Sequence, residues 1–141
     1  MTDVITHKAE FAKAIIKRVV RDLNITEAEV RGACRVPYDE PTDDNADMWL
    51  SRLLNIEMQF LPEPREPVEL EGFGTYVTEE LLLGEDDAFV AFSITEGVYD
   101  SPEYYIIRGS YSSYEGLNLD YAQVARVAPV IRPVRLWEET S

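Results

Sequence analysis

The order of apolar and polar positions divides the chain into a first part that repeats every three to four residues and a second part that alternates. Phe11, Ile15, Val19 and Leu23 recur at about one helical turn, with Ala12, Ile16 and Val20 beside them. Lys13, Lys17, Arg18, Arg21 and Asp22 fall largely off that stripe. This spacing predicts an amphipathic helix from about Thr6 to Leu23, its apolar face buried against the rest of the chain. A second start signal follows at once. Thr26 with Glu29 three residues later forms a capping box, and Ile25 and Val30 hold the staple positions around it. That helix is expected to be short and to fray near Gly32. Pro37 and Pro41 then punctuate an acidic loop. Asp43 or Asp44 is placed to cap a third helix that carries Met48, Trp49, Leu50, Leu53 and Leu54 and ends before Pro62.

Pro62, Pro64 and Pro67 mark a stiff junction over residues 62–67. Beyond it the period changes to two. Val68 and Leu70 alternate with Glu69 and Glu71, and Thr75 and Val77 alternate with Tyr76 and Thr78. Residues 84–87, Gly-Glu-Asp-Asp, read as a turn, after which Val90, Phe92 and Ile94 alternate with Phe89, Ala91 and Ser93. Tyr104, Ile106 and Arg108 alternate with Tyr105, Ile107 and Gly109, and further strands are expected at Tyr121 to Val127 and Val134 to Trp137. Five or six short strands separated by turn signals predict an antiparallel sheet. The expectation is therefore an α+β fold: a helical segment over residues 1–61, the junction, and a β segment over 68–141, forming an antiparallel β-sheet or small open barrel. The helices should pack on the sheet as one unit.

Charge sharpens this picture. The 141 residues carry 27 acids against 13 bases, a net charge of −14. Residues 1–35 are net positive by two, whereas residues 68–102 hold nine acids and no base. A surface of this sign argues against direct binding of nucleic acid or anionic lipid. Cys34 is the sole cysteine and His7 the sole histidine, which excludes an internal disulfide and a Cys- or His-rich metal centre. No apolar run approaches a membrane span and no apolar signal core follows Met1, so a soluble protein of a reducing cytoplasm is expected.

The same residues offer few parts for catalysis. Ser110, Ser112 and Ser113 lack a nucleophile-elbow setting, a Cys34–His7 pair would lack an orienting third group, and no glycine loop suits a phosphate. A non-enzyme without metal or cofactor is expected. Asp39, Glu40, Asp43, Asp44 and Asp47 crowd one loop, but their spacing is not that of a calcium loop and no glycine supplies its turn. The pair of helices around Leu23–Asn24–Ile25 has the outline of a helix-turn-helix, in which Glu27, Glu29 and Arg31 would face DNA, two of them repulsively. Seven of the eight tyrosines lie between Tyr76 and Tyr121, so either cross-strand packing or an aromatic contact face fits them.

Residues 109–116, Gly-Ser-Tyr-Ser-Ser-Tyr-Glu-Gly, followed by Val127-Ala128-Pro129-Val130 and by residues 134–138, Val-Arg-Leu-Trp-Glu, resemble the C-terminal half of small proteins encoded by tailed bacteriophages. Residues 71–75, Glu-Gly-Phe-Gly-Thr, are similar to the first strand pair of those proteins. The resemblance implies phage origin and a β-rich second half, and it carries over no functional residue. With the charge, it leads to an expected role as an acidic inhibitor of a basic host nucleic-acid-binding protein, a CRISPR or restriction effector, acting as a DNA mimic. The residues expected at that interface are the loop acids Asp39, Glu40, Asp43, Asp44 and Asp47, the turn acids Glu85, Asp86 and Asp87, and Tyr99, Tyr104, Tyr111 and Tyr114 as packed anchors. Two alternatives stand beside it. One is a DNA-binding regulator that uses the helix pair. The other is a virion or assembly component, a homodimer or larger species, that pairs through its sheet.

Overall fold

The stripe read from the first helix is the stripe that is buried. The computed structural model describes residues 3–60, 66–84, 87–97, 100–112, 114, 116–130, 137 and 140, with backbone alone at 59 and 60. Helix α1 spans Lys8–Leu23, and Phe11, Ile15 and Val19 have no more than 1 % of their surface exposed. The preceding residues form a turn instead of a first helical turn, with the His7 N–H donating to the Asp3 carbonyl at 2.9 Å. Asn24, at φ 53°, ends α1 in the left-handed region that asparagine tolerates better than most residues.

Helix α2 spans Glu27–Cys34 and has the expected capping box: the Thr26 side chain accepts from the Glu29 N–H at 3.1 Å, and the Glu29 carboxylate accepts in return from the Thr26 N–H at 3.2 Å. It continues through Gly32 and stops at Arg35, which lies at φ 54°. Helix α3 spans Ala46–Phe60. Neither Asp43 nor Asp44 caps it, because the helix starts after Asn45. The Asn45 side chain organises the entry turn, accepting from the Thr42 N–H at 2.7 Å and donating to the Glu40 carbonyl at 3.2 Å.

The second half is an open antiparallel sheet of six strands: β1 Val68–Leu70, β2 Gly74–Leu83, β3 Ala88–Thr95, β4 Glu103–Ser112, β5 Gly116–Leu119 and β6 Ala125–Val127. The order is β1-β2-β3-β4-β5, and β6 pairs with the other half of β4, so β5 and β6 lie end to end along one edge. One strand appears that the alternation did not mark, and one expectation changes. Gly116–Leu119 is a strand, with Leu117 and Leu119 buried. Tyr121–Gln123 is one turn of 3₁₀ helix rather than strand, because the Asp120 carboxylate accepts from the Ala122 N–H and bends the chain. Trp137 is described, but Val134 and Leu136, and with them the strand expected there, lie outside the described residues.

One face of the sheet meets the helices. Tyr76, Val90, Phe92, Ile94, Tyr105 and Ile107 alternate inward and join the core of α1 and α3. Phe11 is the hub, with ring centroids 5.2 Å from Phe73, 5.9 Å from Phe92 and 6.2 Å from Tyr121. Aromatic pairs at these distances add about 0.5–1.5 kcal/mol each to the burial itself. The sheet is also stitched to α3 by polar bonds: the Leu119 N–H donates to Asn55 Oδ1 at 2.9 Å, and the Tyr121 N–H donates to Ser51 Oγ at 2.8 Å.

Candidate partner-binding groove

Those stitches hold the first two turns of α3 beside one end of the sheet, and the gap between them is a groove of about 730 Å³. Three carboxylates from distant parts of the chain reach it: Asp47 in the first turn of α3, Asp87 at the β2–β3 turn, and Asp120 after β5. Asp47 and Asp120 are held through their carboxylates, Asp87 through its backbone. Asp47 forms an ion pair with Lys8 of α1 at 2.7 Å. The Asp87 carbonyl accepts from the Gly84 N–H at 2.7 Å and closes the turn. Asp120 accepts from Ala122 and from the Gln123 side chain, both at 3.1 Å.

The groove is not uniformly acidic. Arg52 and Arg108 line it too. Arg52 is partly committed, donating to the Cys34 carbonyl at the C-terminal end of α2 at 2.9 Å, where a cation is favoured. Arg108, on β4, makes no ion pair with a described residue. Between the charges lie apolar side chains that face solvent, Met48 at 39 % and Leu82 at 50 % exposure, with Phe89 half-buried beside them. Gly109 forms part of the wall. A Cβ there would collide with the Asn118 carbonyl of β5, so glycine permits the close strand approach that shapes this end of the groove.

Asp47 and Asp87 are thus the two residues of the expected interface that the fold brings together. Asp43 and Asp44 are exposed at the entry to α3. Asp39 and Glu40 line a different and smaller pocket, about 240 Å³, between α1, α2 and the loop, together with Lys13, Lys17 and Arg31. Glu85, Asp86 and Tyr99 lie outside the described residues. The remaining tyrosines do not form a single face. Tyr104 points away from the helices, in register with Ser93 and Val127. Tyr111 packs half-buried against the core, and Tyr114 is 99 % exposed at the β4–β5 turn. Arg52, Arg108 and Asp120 were not among the expected site residues, and only tertiary packing brings them to the groove.

On the helix pair, Glu29 is engaged in the capping box, and Arg31 donates to the Asp39 carbonyl at 3.3 Å. Cys34 is buried, and burial pushes its thiol up to about 11 despite the nearby Arg52 guanidinium. Among the described residues no group of three or more His, Cys, Asp or Glu is arranged to hold a metal ion. No described helix is long and apolar enough to cross a membrane. The chain matches no protein-family model, no curated protein and no solved structure.

Proposed function

We propose that this chain is a phage-encoded inhibitor that uses the groove between α3 and the sheet to bind a basic, nucleic-acid-binding defence protein of the bacterial host. The observation that carries this reading is the convergence of Asp47, Asp87 and Asp120 on one groove that also exposes Met48 and Leu82. Fixed carboxylates attract and orient a cationic surface, and the apolar side chains supply the contact area that exposed charge alone does not. The net charge of −14 adds long-range steering toward a basic partner. Arg52 and Arg108 line the same groove as the carboxylates, so recognition follows the pattern of charge and not only its sum. The likeness of residues 109–116 to tailed-phage proteins supports the choice of a bacterial host.

The test is capture of host proteins on the immobilised full chain at low and then moderate salt. A Lys- and Arg-rich nucleic-acid-binding protein should be retained at low salt and released as salt rises. Asp87→Lys should lower its retention at least tenfold, whereas Lys13→Glu, on α1 away from the groove, should not change it. Equal retention by wild type and Asp87→Lys would overturn the groove reading, and loss with Lys13→Glu as well would place the function on the helices instead.

A further inference from the structure

The sheet has a second face, and it is more apolar than a solvated face of an antiparallel sheet ordinarily is. The register defines it row by row. Leu82 pairs with Phe89 and Phe89 with Arg108; Glu80 pairs with Ala91 and Ala91 with Ile106; Val77 pairs with Ser93, which continues to Tyr104 and Val127. Since Val90, Phe92, Tyr105 and Ile107 point to the core, these intervening residues point away from it. No described helix covers them: the contacts of α1 and α3 with the sheet run through the core face, β5 and the β1 edge. Phe89, Ala91 and Ile106 give this outer face a half-buried apolar middle, beside which the buried Ser93 hydroxyl donates to Glu79 at 2.7 Å. The two sides of the face carry opposite charge, Glu79 and Glu80 on β2 and Arg108 on β4, and neither Glu80 nor Arg108 forms an ion pair with a described residue.

We propose that the outer face is the contact surface of a homodimer, covered by the same face of a second copy. Charge selects the symmetry. A two-fold axis across the strands would set β2 against β2 and β4 against β4, like charge on like. An axis along the strands sets β2 against the partner's β4, so each Arg108 meets an acidic flank. The row of Arg108 and the row of Glu80 are two residues apart, roughly 6.6 Å along a strand, which an arginine side chain spans. This axis also gives the aligned face-to-face packing that twisted sheets prefer. Four strands at about 4.8 Å spacing and eight residues at about 3.3 Å rise give a flat footprint of about 500 Å² per copy. Doubled, that is about 1,000 Å², the lower edge of specific interfaces and the size of a reversible contact. This proposal does not rest on the partner-binding reading, but the two surfaces share Leu82, Phe89 and Arg108, so a second copy and a groove partner would compete for them.

Sedimentation velocity on the full chain, from about 1 μM to about 1 mM, tests it over the range of a reversible contact. The wild type should move from monomer to dimer at moderate salt, where the long-range repulsion between two copies of net charge −14 is screened while the close pairs persist. Arg108→Glu and Glu80→Arg, both at exposed positions, should each weaken the dimer about tenfold, because reversal replaces attraction by repulsion at two symmetry-related contacts. Circular dichroism checks that each variant keeps its fold. Mixing the two variants should restore association. The Glu80→Arg copy then carries arginine on both flanks and the Arg108→Glu copy carries glutamate on both, so the mixed dimer sets opposite charges together at each contact. A wild type that stays monomeric at every concentration, whatever then covers the face, overturns the proposal. So does a dimer indifferent to both reversals, or singly weakened variants that fail to recover on mixing.

Discussion

Cys34 and Tyr105 show how burial leads in setting side-chain chemistry in this chain. Cys34 sits at the end of α2 with 2 % of its surface exposed, and loss of solvation disfavours its thiolate more than Arg52 favours it. The native thiol should therefore resist a disulfide reagent at pH 8 and react only when denaturant is added. Fast reaction in the native state would show that the α2 end opens. Tyr105 is pushed up to about 12, first by burial and then by donating to Glu103 at 2.8 Å, and burial holds Tyr121 well above the usual phenol range. All three groups have raised values in the folded state, so the folded chain retains protons that the unfolded chain gives up. Their contribution is fully present below about pH 9 and is lost as pH rises toward 12. Denaturant melts should show stability level between pH 7 and 9 and falling above. Tyr105→Phe should make the fall between pH 10 and 12 shallower and cost about 1 kcal/mol at pH 7 through the lost hydrogen bond.

At the scale of elements, the joint between α1 and α3 contains a charge that periodicity placed outside. Arg18 lies off the apolar stripe, yet it is buried, hydrogen-bonded to the fully buried Glu57 of α3 and 3.2 Å from Asp22. Removing Arg18 takes its cation away from the fully buried Glu57 carboxylate. Arg18→Met should thus cost about 3–5 kcal/mol, while Arg18→Met with Glu57→Leu should recover most of that loss or exceed the wild type. Urea melts of the single and double variants decide it, and a double variant as unstable as the single would mean the pair is required for packing geometry. The helices and the central strands were legible in the sequence because each is a local pattern: the α1 stripe, the Thr26–Glu29 box, the alternation around Val90 and Tyr105. What was not legible depends on contact between distant segments. Gly116–Leu119 is too short to show a period and becomes a strand because Leu117 and Leu119 have a core to enter. Tyr121 becomes part of a 3₁₀ turn through the Asp120 side chain. The groove could be read only in halves, since Asp47 and Asp87 are 40 positions apart and Asp120 is brought in by the bonds from α3 to Leu119 and Tyr121.

For the whole molecule the governing quantity is the imbalance of charge, and two electrostatic effects on stability oppose each other. Surface ion pairs stabilise and are weakened by salt: Lys8 with Asp47 at 2.7 Å, Lys17 with Glu71 at 2.8 Å, Arg126 with Asp3 at 2.9 Å. The Lys17 ammonium holds the Glu71 carboxyl below its ordinary range, so that pair is formed at neutral pH. Exposed pairs contribute only about 0.2–1 kcal/mol each. Against them stands the self-repulsion of 14 uncompensated negative charges, concentrated in residues 68–102, where no base is present to offset nine acids. At low ionic strength the screening length is roughly 30 Å, comparable to the molecule itself, so every acid in that segment repels every other; at 0.1 M it shrinks to about 10 Å and the long-range part disappears while close pairs persist. The repulsion should dominate. Raising NaCl from about 0.01 to 0.3 M should lift the melting temperature by several degrees, since 1 kcal/mol corresponds to about 2–8 °C at this size. The gain should be larger at pH 8 than at pH 5, where part of the carboxylate charge is already protonated. Thermal scans followed by circular dichroism, at a protein concentration low enough to exclude self-association, measure it directly. A melting temperature that falls with salt would mean that the ion pairs outweigh the repulsion and that the acids of the sheet are spaced widely enough not to strain the fold.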